Sequence, residues 1–266
     1  MSKSIGFMGS GNMASAIIAG MLQSGQQEMA LKVYDLNGNH YQTLAAQGVE
    51  TCSSPDGLAA VDCLILAVKP QNMSDALDAL RGKLDRKAVV VSIAAGITEP
   101  YIQKKLGFDA KVVLVMPNTP LLLGRGATAM SKGRQTSEQE FSFVQSLFRL
   151  SGIVEVISTD KMNEVIALNG SSPAFIYLFA KGFLQFAQHN GIEAGTALRL
   201  FSASLEGAAK MMTDSGKTVD ELITMVSSPG GTTLAGLDAF YQEHFCDTVE
   251  KACNACTKRA YELSQT

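Results

Sequence analysis

Near the start of the chain, Gly6, Phe7, Met8, Gly9, Ser10, Gly11, Asn12, Met13 and Ala14 carry the spacing G-x-G-x-x-A between an apolar run and an amphipathic stretch. Such a segment suits phosphate. Gly9 permits a tight turn, Gly11 lets backbone come close to a pyrophosphate, and Ala14 lets the following helix lie against a sheet. The helix start then offers free N–H groups and a partial positive charge to the anion. Asp35 stands about 20 residues further on, where a carboxylate reaches a ribose 2′-hydroxyl. It would repel a 2′-phosphate, and no arginine is nearby, so the pattern favours NADH; Asn37 and a turn at Gly38 leave NADPH open. The plainer reading of Asp35 is a solvated loop residue.

A second glycine-bearing turn lies far along the chain. Ser228, Pro229, Gly230, Gly231, Thr232 and Thr233 precede a helical stretch, so glycines would expose N–H groups and hydroxyls would donate to a small anion. Taken alone, the segment also fits an ordinary capped helix start. Ala67, Val68, Lys69 and Pro70 follow one apolar run, and Ile93, Ala94, Ala95 and Gly96 end another; open α/β sheets bind ligands at such carboxyl ends. Lys69 either neutralises phosphate or faces solvent. Ser171 and Ser172, before Pro173, are candidates to cap a long helix. His244, Cys246, Cys253 and Cys256 include a C-x-x-C, but the stripe Phe245, Val249, Ala252, Cys253, Cys256, Ala260, Leu263 reads as a helix with core cysteines, and no metal is expected.

These residues need elements to hold them. Strands are expected at Ser4–Met8, Leu31–Asp35, Val49–Cys52, Cys63–Val68, Val89–Ala94 and Val112–Met116. Helices are expected at Asn12–Ser24, ended by Gly25, and at Tyr41–Gln47, Met73–Leu80 and Pro100–Leu106. Strands alternating with helices build a parallel sheet covered on both faces. Gly126–Ser131, a helix over Ser137–Leu150 and Ile153–Ile157 extend it. Beyond Thr159 only helical spacing remains, over Lys161–Leu168, Pro173–His189, Glu193–Asp214, Thr218–Met225, Thr233–Tyr241 and Phe245–Ser264. That change of period puts a domain boundary near residue 159.

Composition bounds the function. Of 266 residues, 46% are hydrophobic and 18% charged, with a net charge of −3, which excludes a disordered chain and gives no global attraction to nucleic acid. The start of the chain lacks a signal-peptide layout and the five cysteines are odd in number, so a reducing cytoplasm is expected. Val165–Ala187 is interrupted by Asn169, Gly170, Pro173 and Lys181, so it reads as a turn and a buried helix instead of a membrane span. Glycine, 24 residues, runs slightly above ordinary usage, which suggests close backbone approaches. Gly20 and Gly207, inside helical patterns, look like packing positions.

The phosphate loop belongs to a longer set: A-V-K-P at Ala67–Pro70, S-I-A-A-G at Ser92–Gly96, V-M-P-N-T-P at Val115–Pro120, G-S-S-P-A-F at Gly170–Phe175, and V-S-S-P-G-G-T-T-L-A-G-L at Val226–Leu237. In this order and spacing the chain resembles the pyrroline-5-carboxylate reductases. The resemblance implies an α/β fold, with an N-terminal Rossmann-like dinucleotide-binding domain over 1–159 followed by an all-helical C-terminal dimerisation domain over 160–266. It further implies reduction of a cyclic imine, 1-pyrroline-5-carboxylate, to L-proline with NADPH or NADH, in a homodimer or a decamer built as a pentamer of dimers. By motif it implies phosphate-loop roles for Gly9, Gly11, Asn12 and Met13, cofactor contacts for Ala67, Val68, Lys69 and Pro70, and a place beside the nicotinamide for Ala95. Ser228, Gly231, Thr232 and Thr233 carry over as a substrate clamp. Two departures bear on cofactor preference: some relatives have asparagine by the adenosine ribose where this chain offers Pro55, and many have serine, threonine or asparagine at Asp35.

Reduction of such an imine asks for a hydride at the C=N carbon and a proton on the nitrogen. Positioning can supply most of the acceleration, so a dedicated acid is not obligatory; His40, His189 and His244 all lie outside the motifs. The Ser228–Thr233 turn, Gly230 included, would fix the substrate carboxylate, and Thr233 is the expected hydroxyl near the imine nitrogen. Asn118 either shapes the floor near the nicotinamide or closes an Asx turn. Two rivals stand beside this reading. A 3-hydroxyacid dehydrogenase would place a lysine four residues before Asn169, where this chain has Val165. A non-catalytic dinucleotide sensor would not need the second anion site.

Overall fold

The computed structural model describes residues 3–23, 29–38 and 40–264. Among them β1 (Lys3–Met8), β2 (Met29–Tyr34), β3 (Glu50–Thr51), β4 (Cys63–Leu66), β5 (Val89–Ser92) and β6 (Lys111–Met116) run parallel in the order β3-β2-β1-β4-β5-β6. β7 (Gly126–Lys132) joins β6 antiparallel, and β8 (Gly152–Val156) pairs parallel with β7. The order reverses between β1 and β4, which opens a crevice at the carboxyl ends of the strands.

Alternation decides which residues fill each face. Ile5, Phe7, Val33, Ile65, Val91 and Val113 pack with Ile17 and Ile18 of α1 (Asn12–Gln23), Leu44 of α2 (Tyr41–Ala46) and, further on, Phe148 of α5 (Glu138–Arg149). Leu64, Leu66, Val90, Val112 and Leu114 meet Leu77 of α3 (Met73–Leu80) and Ile102 of α4 (Glu99–Leu106) on the other face. Strands covered on both sides must be apolar throughout, as Cys63–Leu66 is. A fully buried side chain of this size contributes ~1.5–3 kcal/mol, so the sheet has a core of its own. Ser24 and Gly25, expected to end the first helix, lie outside the described residues.

The expected helix over Lys161–Leu168 is not a regular one. A 3-10 turn spans Thr159–Lys161 and a π-helical turn spans Ile166–Gly170, where Ser171 N–H reaches back to Ile166 C=O at 2.8 Å. The cause is Asn169, whose buried amide Nδ2 donates to Met116 C=O at 2.6 Å and Ala127 C=O at 3.2 Å, drawing the turn against the sheet. Ser172 does not cap the helix that begins at it, α6 (Ser172–His189); its hydroxyl donates back to Leu168 C=O at 2.7 Å.

The chain divides into two compact units: residues up to Pro173 together with those from Ala255 onward, and Ala174–Asn254. The second contains α7 (Ala194–Asp214), α8 (Val219–Met225), α9 (Thr232–Gln242), most of α6 and the first half of α10 (Phe245–Ser264). Glu193 caps α7 through Gly195 and Thr196 N–H, and Thr218 with Glu221 forms a reciprocal cap on α8. Phe183 and Phe201 approach to 4.6 Å between ring centres and Phe179 and Phe183 to 5.0 Å. Even so, Ala187 is the one buried residue of this unit.

Two sequence expectations change accordingly. α6 was expected to be buried, yet Tyr177, Leu178 and Phe186 are each more than 60% exposed. Cys246 is exposed and Cys253 and Cys256 are half-buried, so they are not core cysteines within one chain. Both helices are covered only in part: Phe179 of α6 packs against Phe201, Phe240 and Phe245, and Tyr177, Leu178, Phe186 and Cys246 stay open to solvent. His244 adopts φ 51° in the link before α10 instead of lying in the helix. A Cβ on Gly20 would run into Ser151, as a packing position requires, whereas no atom comes within 4 Å of one on Gly207. Among the described residues, no helix is long and apolar enough to cross a membrane.

Candidate active site

The phosphate loop leaves β1 at the crevice. Gly9 has φ 106°, its N–H donates to Tyr34 C=O at 2.7 Å, and a Cβ there would stand 2.8 Å from Ala67 C=O. The protein itself therefore demands glycine at this position. At Gly11 the demand is of another kind, because beyond its own chain neighbours no atom of the described residues lies within 4 Å of the place a Cβ would take. Ser15 N–H bonds Gly11 C=O at 3.0 Å, which starts α1 at the loop, and Ala14 is fully buried behind it. Gly11 and Asn12 are exposed and Met13 is half-buried. Bare backbone at a helix start, with room in front of it, fits a dinucleotide pyrophosphate.

Asp35 is no solvated loop residue. Its Oδ2 accepts Ser10 N–H at 2.7 Å and its Oδ1 accepts Asn37 N–H at 2.9 Å, so the carboxylate ties the phosphate loop to the turn after β2. Burial pushes its pKa up, but these N–H donors outweigh burial and hold the carboxyl below its ordinary value. Tyr41, which sequence reading missed, braces the same corner: its hydroxyl accepts Asp35 N–H at 2.7 Å and lies 3.1 Å from the carbonyls of Asp35 and Cys52. A tyrosine opening a short helix gives no sequence signal for that role.

Asp35→Ser should therefore act on loop and ribose together. Losing hydrogen bonds to a charged acceptor should raise the KM for NADH about tenfold. For NADPH the lost tether is offset by the lost repulsion, so the ratio of the two constants should move toward NADPH. Steady-state kinetics with both cofactors checks this, and an unchanged ratio would remove Asp35 from cofactor choice.

The other expected cofactor residues line the same edge. Ala67, Val68 and Pro70 are half-buried after β4 and Lys69 is exposed, with Ala67 N–H on Met8 C=O at 2.9 Å. Ala95 is half-buried in the loop after β5. Asn118 is buried after β6, where its Oδ1 accepts Ala127 N–H at 2.9 Å, fixing the start of β7. Asn169 holds Ala127 from its carbonyl side, a pairing that sequence spacing gave no means to find.

The Ser228–Thr233 segment belongs to the second unit. Gly231 N–H donates to Ser228 C=O at 2.9 Å, with Pro229 and Gly230, φ 70°, between them, which is a type II turn. α9 starts directly after it with Gly231 at its cap and no side-chain cap. Since Gly231 N–H is engaged in the turn, the open donors are the first N–H groups of α9, beginning at Thr232 and Thr233. This is again a helix start suited to a small anion.

Comparison with known proteins bears on both halves. Residues 159–263 match the family model described as pyrroline-5-carboxylate reductase dimerisation, and residues 4–96 match the model described as NADP oxidoreductase, coenzyme F420-dependent. The chain is 32% identical to the pyrroline-5-carboxylate reductase of Escherichia coli K12 over 100% of both chains. It is 36% identical to that of Haemophilus influenzae, over 98% of this chain and 97% of the relative. The Plasmodium falciparum pyrroline carboxylate reductase, solved with NADP bound, superimposes with a TM-score of 0.90 at 26% identity, covering 98% of each chain.

Proposed function

The chain belongs to the pyrroline-5-carboxylate reductase family, and we propose that it reduces 1-pyrroline-5-carboxylate to L-proline, the last step of proline biosynthesis, with NADPH or NADH as reductant. The observation that carries this reading is the full-length likeness to relatives of that name, within which both glycine-bearing helix starts fall.

In this reading the open N–H groups of α1 hold the pyrophosphate, and Asp35 keeps the loop in place for them. Ala67–Pro70, Ala95 and Asn118 line the rest of the cofactor's path. A bound reduced nicotinamide supplies the hydride. Thr232 and Thr233 N–H groups, with Ser228 and the Gly230–Gly231 turn, take the substrate carboxylate. The Thr233 hydroxyl donates or relays the proton that the imine nitrogen requires. Holding the two reacting partners in register is the main task, since the protonated imine is already a good electrophile.

We place the enzyme in the cytoplasm, where its five free thiols are at home. Its helical unit is covered by a second copy, in a homodimer or a pentamer of dimers. In support, the dimerisation model spans 159–263 and the single chain buries only Ala187 of residues 174–254. Purified protein given pyrroline-5-carboxylate should oxidise NADH or NADPH, followed by the absorbance of the reduced cofactor. No oxidation with either one would overturn the reading.

A further inference from the structure

In the crevice, β1 carries the phosphate loop and β2 ends at the ribose carboxylate Asp35, so the nicotinamide half of a dinucleotide belongs on the β4–β6 side. The loop Ala94–Ile97 after β5 lies on that side. One flank of it borders a cavity of about 700 Å³, lined by Ala94, Gly96, Glu99, Met116 and Met162 among others, while Ala94, Ala95 and Ile97 also pack against the core on that face of the sheet. At Gly96 the loop meets the far end of the chain. Gly96 has φ 76°, and the place of its Cβ lies 3.0 Å from Ala260 C=O, 3.0 Å from Ser264 N and 3.1 Å from Leu263 Cβ, all in the last turns of α10. Ala260 is 3% exposed.

A long-range side-chain hydrogen bond ties that end of α10 to the segment before α6. Tyr261 hydroxyl donates to Glu164 Oε1 at 2.8 Å, across 97 residues of sequence. Glu164 leads into the π-helical turn, and at the far end of that turn Asn169 grips Met116 C=O, where β6 ends. Glu164 Oε2 and Asn169 Oδ1 are both buried without a hydrogen-bond partner. Unsatisfied buried oxygens cost stability, and two of the three among the described residues lie on this segment, which links α10 to the sheet's ligand edge.

The geometry points to the last turn of α10 as the brace of the nicotinamide loop, with Tyr261 as a positioning residue for hydride transfer. This rests on the reductase reading proposed above. Tyr261 does not touch the reacting atoms; it fixes α10, α10 fixes Gly96, and Gly96 sets the loop. Glycine is required there because any side chain would push the loop off the helix.

Tyr261→Phe keeps the ring and deletes the bond. In the variant without any cofactor, hydrogen–deuterium exchange of the backbone amides in residues 93–98 should speed up about tenfold, with the melting temperature little changed. In turnover, kcat should fall about tenfold while the KM for cofactor moves less than about twofold, because orientation and not affinity is lost. The primary deuterium isotope effect from C4-deuterated cofactor should rise. Glu164→Ala should repeat this pattern, and Glu164→Gln, which keeps an acceptor oxygen for Tyr261, should recover most of the loss. Unchanged exchange over 93–98 in both Tyr261→Phe and Glu164→Ala would overturn the brace. A wild-type protein inactive on the imine would overturn the reductase reading instead, and the exchange measurement would still decide the brace.

Discussion

Gly11→Ala should cost the enzyme about a hundredfold in affinity for either dinucleotide, with a melting temperature close to wild type. Two charge-assisted hydrogen bonds from backbone to pyrophosphate are worth roughly that factor, and a methyl group in front of the α1 N–H groups would prevent both. The fold should tolerate the change, because beyond the chain neighbours no atom of the described residues lies within 4 Å of the added carbon. Gly9→Ala is the contrasting control. Its φ of 106° and the Ala67 carbonyl 2.8 Å away mean that it should lose both cofactor and stability, the latter by about 1–3 kcal/mol. Fluorescence titration with NADH and thermal melts of the two variants separate these outcomes. A Gly11→Ala protein that binds cofactor normally would remove the loop from the site.

Thr233→Ala should lower kcat about a hundredfold, the lower range for losing a positioned proton donor, while cofactor affinity stays as it is. The fold should be indifferent to the change. α9 has Gly231 at its cap, with no side-chain hydrogen bond there for the substitution to remove. Thr233→Ser, which retains a hydroxyl, should restore most of the activity. Kinetics at saturating cofactor with circular dichroism alongside would show this, and full activity in Thr233→Ala would exclude the role.

How much of this was legible beforehand follows from how local each signal is. The strands from Ser4 to Met116 could be read because two-sided burial writes itself as unbroken apolar runs, and the loop at Gly9 and Gly11 because turn geometry dictates glycine at fixed offsets. The Ser228–Gly231 turn was readable for the same reason, though the engagement of Gly231 N–H within it was not. Asp35 was placed at the ribose, but its bonds to Ser10 and Asn37 depend on how β1 and β2 pair. The π-helical turn was missed since its cause, Asn169 on Met116, spans 53 residues. Tyr261 on Glu164 spans 97, and nothing in either neighbourhood announces the other. The exposed stripe of α6 was misjudged because apolar spacing says that a face is covered, not which chain covers it.

That bare helical unit has a consequence for how the enzyme responds to its own abundance. In the homodimer proposed above, Ala174–Asn254, which by itself buries only Ala187, draws its burial from a second copy, so near the dimer's dissociation constant its order depends on how often two copies meet. On the reading proposed above, Thr232 and Thr233 of that unit hold the substrate, so the substrate end of the reaction is the part that dilution would reach first. In that range of concentration the activity per chain should fall on dilution, which specific activity measured against protein concentration would show.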